Sequence, residues 1–82
     1  MDKELGKVIH YFDKAMVAVI RLSGKLKAGD TVKFVHGDQE FTQTIDSMEV
    51  EHKKIDSGKD GDEVAVKVEQ RAKEGTRVYK VE

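Results

Sequence analysis

The sequence predicts an all-β protein, a small closed six-stranded antiparallel β-barrel. Three observations predict it. Six short runs carry apolar residues two apart, the period of a pleated strand, between clusters of Gly, Asp and Ser. No segment sustains a helical period, and no proline interrupts a run. One turn grammar also recurs: Lys, one residue, Gly, two residues, Val appears from Lys27 to Val32, from Lys59 to Val64 and from Lys73 to Val78. Glycine takes a left-handed backbone without a Cβ clash, Asp or Thr beside it bonds the nearby backbone, and a β-branched Val starts the pleat. Closure is expected because it removes the exposed edges of an open sheet.

The first strand is expected over Gly6–Phe12, with Val8, His10 and Phe12 on one face and Ile9 and Tyr11 on the other. This alternation makes Phe12 a core residue and Tyr11 a cap on the rim. Asp13-Lys14 is a short polar connection. Ala15–Leu22 is apolar on both faces as far as Arg21, and its β-branched content and short span favour a strand over a buried helix. Ser23-Gly24-Lys25 turns the chain, and the turn Lys27-Ala28-Gly29-Asp30 opens a strand over Thr31–Val35. His36-Gly37-Asp38-Gln39 is a hairpin signal.

The next strand, Glu40–Met48, sets Phe41, Gln43 and Ile45 against Thr42, Thr44 and Asp46. Met48 and Val50 then fall out of phase with Ile45, which predicts a bulge or sharp bend near Asp46-Ser47. Glu51-His52-Lys53-Lys54 is polar, Ile55 is a lone anchor, and Asp56–Asp62 is the longest loop. Glu63–Glu69 is a strand with Val64, Val66 and Val68 on one face. Gln70–Glu74 is a charged connection with room for one helical turn, and Arg77–Val81 ends the chain as a strand.

The 82 residues are expected to form one domain. At this size about 60% of the unfolded surface is buried, so the core is modest. There is no cysteine, which excludes disulfides and thiolate metal sites. The charged start Met1–Lys7 is unlike a signal peptide, and no apolar run approaches the roughly 20 residues that span a bilayer. A cytoplasmic protein without a membrane partner is expected. Fifteen basic residues face 16 acidic ones, so composition gives no basic excess for phosphate neutralisation and suits an ordinary solvated surface.

The histidines His10, His36 and His52 have no chelating spacing, so no metal site is expected. Ser23, Ser47 and Ser57 fall at turns or bends with no nucleophile motif around them. Asp60, Asp62 and Glu63 lie in a loop without apolar walls, where they serve a turn. No phosphate-cradling Gly-x-x-x-x-Gly-Lys-Ser/Thr loop occurs, so this chain alone binds no nucleotide. The expectation is a non-enzymatic protein with no cofactor.

Gly6-Lys7-Val8, Val17-Ala18-Val19-Ile20, Leu26–Val32, Ile45-Asp46-Ser47-Met48 and Gly61–Val68 occur in the order of a known barrel. On these motifs the chain resembles the second domain of translation factors of the elongation factor Tu type. His10-Tyr11-Phe12 and Arg77–Val81 are similar to the C-terminal barrel of collagenase-like peptidase-family proteins, some of which act in RNA modification. The resemblance implies a translation-factor-type barrel that contacts RNA or a translation or RNA-modification protein. The alternative it implies is an adaptor docking on a larger enzyme such as a collagenase-like peptidase-family protein. The candidate contact residues are Lys7, His10, Tyr11 and Lys14, where a base or partner could stack between cations, and Arg21, Lys25 and Lys27, which could meet phosphate.

Overall fold

The computed structural model describes residues 3–51 and 53–81. Ten strands form among them: β1 (Lys3–Phe12), β2 (Val17–Leu22), β3 (Leu26–Lys27), β4 (Thr31–His36), β5 (Gln39–Thr44), β6 (Met48–Val50), β7 (Lys53–Ile55), β8 (Ser57–Gly58), β9 (Glu63–Lys67) and β10 (Arg77–Lys80). No helix occurs among the described residues, so Gln70–Glu74 contains no helical turn. Each of the six expected strands is present with shifted ends, β1 and β4 longer and β2, β5, β9 and β10 shorter than expected, and four short strands join them. Ala15 and Met16 belong to the β1–β2 turn rather than to β2, and Met16 takes φ 53° there.

Eight strands form one antiparallel sheet in the order β5-β4-β10-β1-β2-β9-β6-β7, and β3 pairs separately with β8. The expected closed barrel is therefore not formed, and six is not the strand count. The cause lies at Ile45–Ser47, where the expected bend breaks the fourth long strand in two. Its first half, β5, pairs with β4, while its second half, β6, pairs with β9 at the far end of the sheet order. The sheet curls until these halves follow each other in the chain, but their ladders do not join. β7 then folds back on β6 and takes the outer edge.

A side chain spans the seam. Gln43 is buried on β5, and its Nε2 donates to the Lys67 carbonyl at 3.0 Å. Its Oε1 accepts from the Glu69 N–H at 2.8 Å. The amide thus supplies the donor and acceptor of a missing ladder rung.

The three Lys-x-Gly segments fold alike. In each, the fourth residue's N–H closes the turn on the Lys carbonyl, Asp30 on Lys27 at 3.1 Å, Asp62 on Lys59 at 3.0 Å and Thr76 on Lys73 at 3.0 Å. Gly29, Gly61 and Gly75 have φ of 98°, 91° and 94°, the left-handed third position of a type II turn. Asp30 and Asp62 each add a carboxylate bond to the first residue's N–H, both 3.0 Å.

Each turn also grips one buried apolar residue by two reciprocal backbone bonds. Gly29 donates to the Ile45 carbonyl at 2.7 Å, and Ile45 donates back to the Asp30 carbonyl at 2.9 Å. Gly61 and Asp62 hold Leu22 with two bonds of 2.8 Å, while Gly75 and Thr76 hold Val8 with bonds of 2.8 and 2.7 Å. Three residues after each glycine, Val32, Val64 and Val78 enter the core, which also contains Phe34, Ile20, Leu26 and Met48.

Two substitutions separate these contributions. A Cβ at Gly61 meets nothing within 4 Å, so any cost of Gly61→Ala is conformational. It should lower unfolding free energy by about 1–2 kcal/mol in a urea titration. Gln43→Leu keeps apolar volume but removes both seam bonds, and the same measurement should show a loss of about 1–3 kcal/mol.

Candidate functional site

The outer face of the sheet sorts charge by position. Lys7 on β1 lies opposite Arg77 on β10 and Arg21 on β2. All three point outward because their chain neighbours, such as Val8, Ile20, Leu22 and Val78, fill the core. The row continues to Val35 and Glu40 on one side and to Glu63 on the other. Arg77 Nη1 approaches Glu4 Oε1 at 3.3 Å. Among the described residues, Lys7 and Arg21 have no ion-pair partner. Like charges directly opposite on neighbouring strands are destabilising.

Beyond Lys7 the strand changes phase. The β1–β2 register steps from Val8↔Ile20 to His10↔Val19, so Ile9 is a bulge. Val8 remains buried, but Tyr11 rather than His10 now turns inward and packs half-buried against the core. Phe12 is thrown outward and is 49% exposed, which overturns its expected core position. The bulge follows the residue gripped by the Gly75 turn. Val8 itself still pairs with Ile20, and the extra residue comes immediately after it. His10 stays outside, edge-on to Phe12 with ring centroids 4.3 Å apart, and its Nδ1 lies 3.4 Å from Glu74 Oε2.

Phe12 borders a shallow groove of about 450 Å³ over β2, β9 and β6. Val19, Ala65 and Val50 supply its apolar lining. Glu49, Glu51, Asp62 and Glu63 supply its polar groups, and among the described residues no Lys, Arg or His lines it. A second open groove, about 410 Å³, lies beside the β4–β5 hairpin, where Phe34 and Phe41 stack at 4.8 Å near Arg71 and Lys73.

The remaining candidate contact residues are dispersed. Lys14 sits in the β1–β2 turn, Lys25 in the bend after β2, and Lys27 on β3 outside the large sheet. Lys7 and Arg21 are thus brought together and joined by Arg77, which sequence reasoning missed because it arrives from the last strand. His36 ends β4 and His52 lies outside the described residues. Among the described residues, no group of three or more His, Cys, Asp or Glu could hold a metal ion. No helix long and apolar enough to cross a membrane occurs among them. Asp62 stabilises a turn as expected, whereas Glu63 opens β9 and Ser57 lies in β8.

No protein-family model matches the chain. A protein of Methanocaldococcus jannaschii named as an uncharacterized protease is 35% identical over 77 residues, covering 93% of this chain. The chain spans 19% of that relative's length. The fold is similar to the C-terminal domain of a putative U32 peptidase of Geobacillus thermoleovorans, with a TM-score of 0.91 at 22% identity over 98% of this chain and 93% of that one. The selenomethionine variant of that domain gives a TM-score of 0.88 at 22% identity, covering 93% and 96% of the two chains.

The cation row has a measurable signature. Lys7→Gln removes the middle charge of three, so it should leave the urea midpoint unchanged or raise it at low ionic strength. Any gain should shrink as salt screens the row. A clear loss of stability at low salt would mean that Lys7 has a structural role.

Proposed function

We propose that this chain is a non-catalytic docking module of the U32 peptidase C-terminal type. In this reading it binds a larger peptidase-family protein and contributes a surface rather than a reaction. The observation that carries the reading is the coverage of the two kinds of relative. Nearly the whole chain superposes on a C-terminal domain, while it matches only 19% of a protein named as a protease. A fold that recurs as one part of a larger enzyme has to meet the rest of that enzyme, its substrate, or both.

Purified chain mixed with the purified catalytic body of a U32-type peptidase from the same organism should form a complex in analytical ultracentrifugation. The chain alone should leave unfolded protein substrates uncut. A failure to associate at concentrations of about tens of micromolar, typical of a weak encounter, removes the docking reading. Peptide cleavage by the chain alone would replace it with an enzymatic one.

A second reading is favoured by one specific observation, the row Arg77–Lys7–Arg21. Outward cations on three neighbouring strands are suited to phosphate, and the resemblance to translation-factor barrels implies contact with RNA. Labelled tRNA titrated at low ionic strength should bind with a steep salt dependence, and K7Q/R21Q should reduce the slope. Unchanged anisotropy at the lowest salt rules this reading out.

A further inference from the structure

Phe12 and Ile9 are the large apolar side chains left exposed among the described residues, at 49% and 40%. Simple alternation from Val8 would have placed Phe12 inside. The Ile9 bulge instead puts an aromatic ring in solvent at the border of a groove. Bulges re-aim side chains, and large exposed aromatics are over-represented where a partner binds.

The far side of the groove selects that partner. Its four carboxylates come from β6, the turn after it, the Gly61 turn and β9. The Lys59 N–H occupies one oxygen of Asp62. Among the described residues, Glu49, Glu51 and Glu63 have no ion-pair partner. Arg21 stands opposite Glu63 on the neighbouring strand, yet no ion pair joins them. Lys54 likewise stands opposite Glu49 on β7 without an ion pair between them. The groove therefore combines an apolar floor, an aromatic edge and four carboxylates, none of them in a salt bridge among the described residues.

We propose that this groove docks a basic segment of a partner protein. The segment carries arginine or lysine among apolar residues, lays an apolar side chain on Val19 and Ala65, and places a cation over the Phe12 ring or beside the carboxylates. A phosphate-bearing partner is repelled here. A neutral apolar segment would strip water from the carboxylates without replacing it. The inference rests on the docking-module reading and adds to it the face used and the chemistry of the docked segment.

The test has two arms on the intact chain. In the first, a synthetic peptide alternating arginine and leucine is titrated and followed by amide resonances, with a glutamate-for-arginine peptide as control. Shifts should centre on Phe12, Val19, Glu49 and Ala65 with the arginine peptide and be absent with the control. Phe12→Ser should weaken binding by about tenfold, and E49Q/E63Q by about threefold, with an unchanged unfolding midpoint. Shifts centred elsewhere, affinity indifferent to Phe12→Ser, or self-association of the chain through this groove would overturn the proposal.

In the second arm the same variants are mixed with the U32-type catalytic body. A complex that ignores these substitutions sinks the groove while leaving the docking reading intact. Peptide binding at the groove without any complex with the catalytic body leaves the groove standing and removes the peptidase as its partner.

Discussion

Three reciprocal pairs of backbone hydrogen bonds constrain this fold more than any other interaction. Each joins a Lys-x-Gly turn to one buried residue, Ile45, Leu22 or Val8, with every bond between 2.7 and 2.9 Å. The geometry explains the sequence grammar. Glycine is needed because the donating N–H is presented from a left-handed residue, and an L side chain there is strained. The next residue accepts through its carbonyl and, when it is Asp, steadies the turn through its carboxylate. The valine three residues past the glycine is the first to enter the core. One short motif thus satisfies polar backbone, reverses the chain and starts the next strand.

Three of the sheet's departures from regularity lie beside these grips. Ile45 follows the end of β5 where the chain crosses to β6, Leu22 ends β2, and Val8 precedes the bulge at Ile9. A residue whose N–H and C=O are taken by a turn is held by more than its neighbouring strand. The ladder beside it ends or slips. The incomplete closure has the same origin: the strand that would complete a barrel is divided at a gripped residue, and the Gln43 amide bridges the remaining gap.

Local rules made much of this legible. The Gly37-Asp38 hairpin, the alternation of Phe41, Gln43 and Ile45, and the phase slip before Met48 depend on neighbours in sequence, and all appear in the structure. The turn repeat was legible as grammar, but its partners were not, because Lys73–Val78 grips a residue some sixty-five positions earlier. Val8, His10 and Phe12 alternate cleanly as letters, so nothing local announces the bulge that turns Phe12 outward. Lys7 and Arg21 were named for separate reasons and met only through the hairpin register, and Arg77 joined them only through the final strand. The acidic groove draws its residues from four segments, which places it beyond the reach of any short window.

Composition misleads most about the surface. Fifteen basic and 16 acidic residues nearly cancel in sum, and the sum suggests an even, solvating exterior. Position separates them. Three cations stand abreast on β10, β1 and β2, while four carboxylates, with no cation among the described residues, line the groove over β2, β9 and β6. Exposed ion pairs are worth little to folding, so leaving Lys7, Arg21 and the groove glutamates without ion pairs costs the fold little. For recognition the same arrangement has a large consequence. Opposite fields on adjoining parts of one face orient an incoming partner before contact, and an exposed ring between apolar neighbours rewards only the orientation that covers it. The bulge that places Phe12 there begins directly after Val8, the residue held by the turn that leads into β10, so the proposed docking face adjoins one of the three grips that shape the sheet.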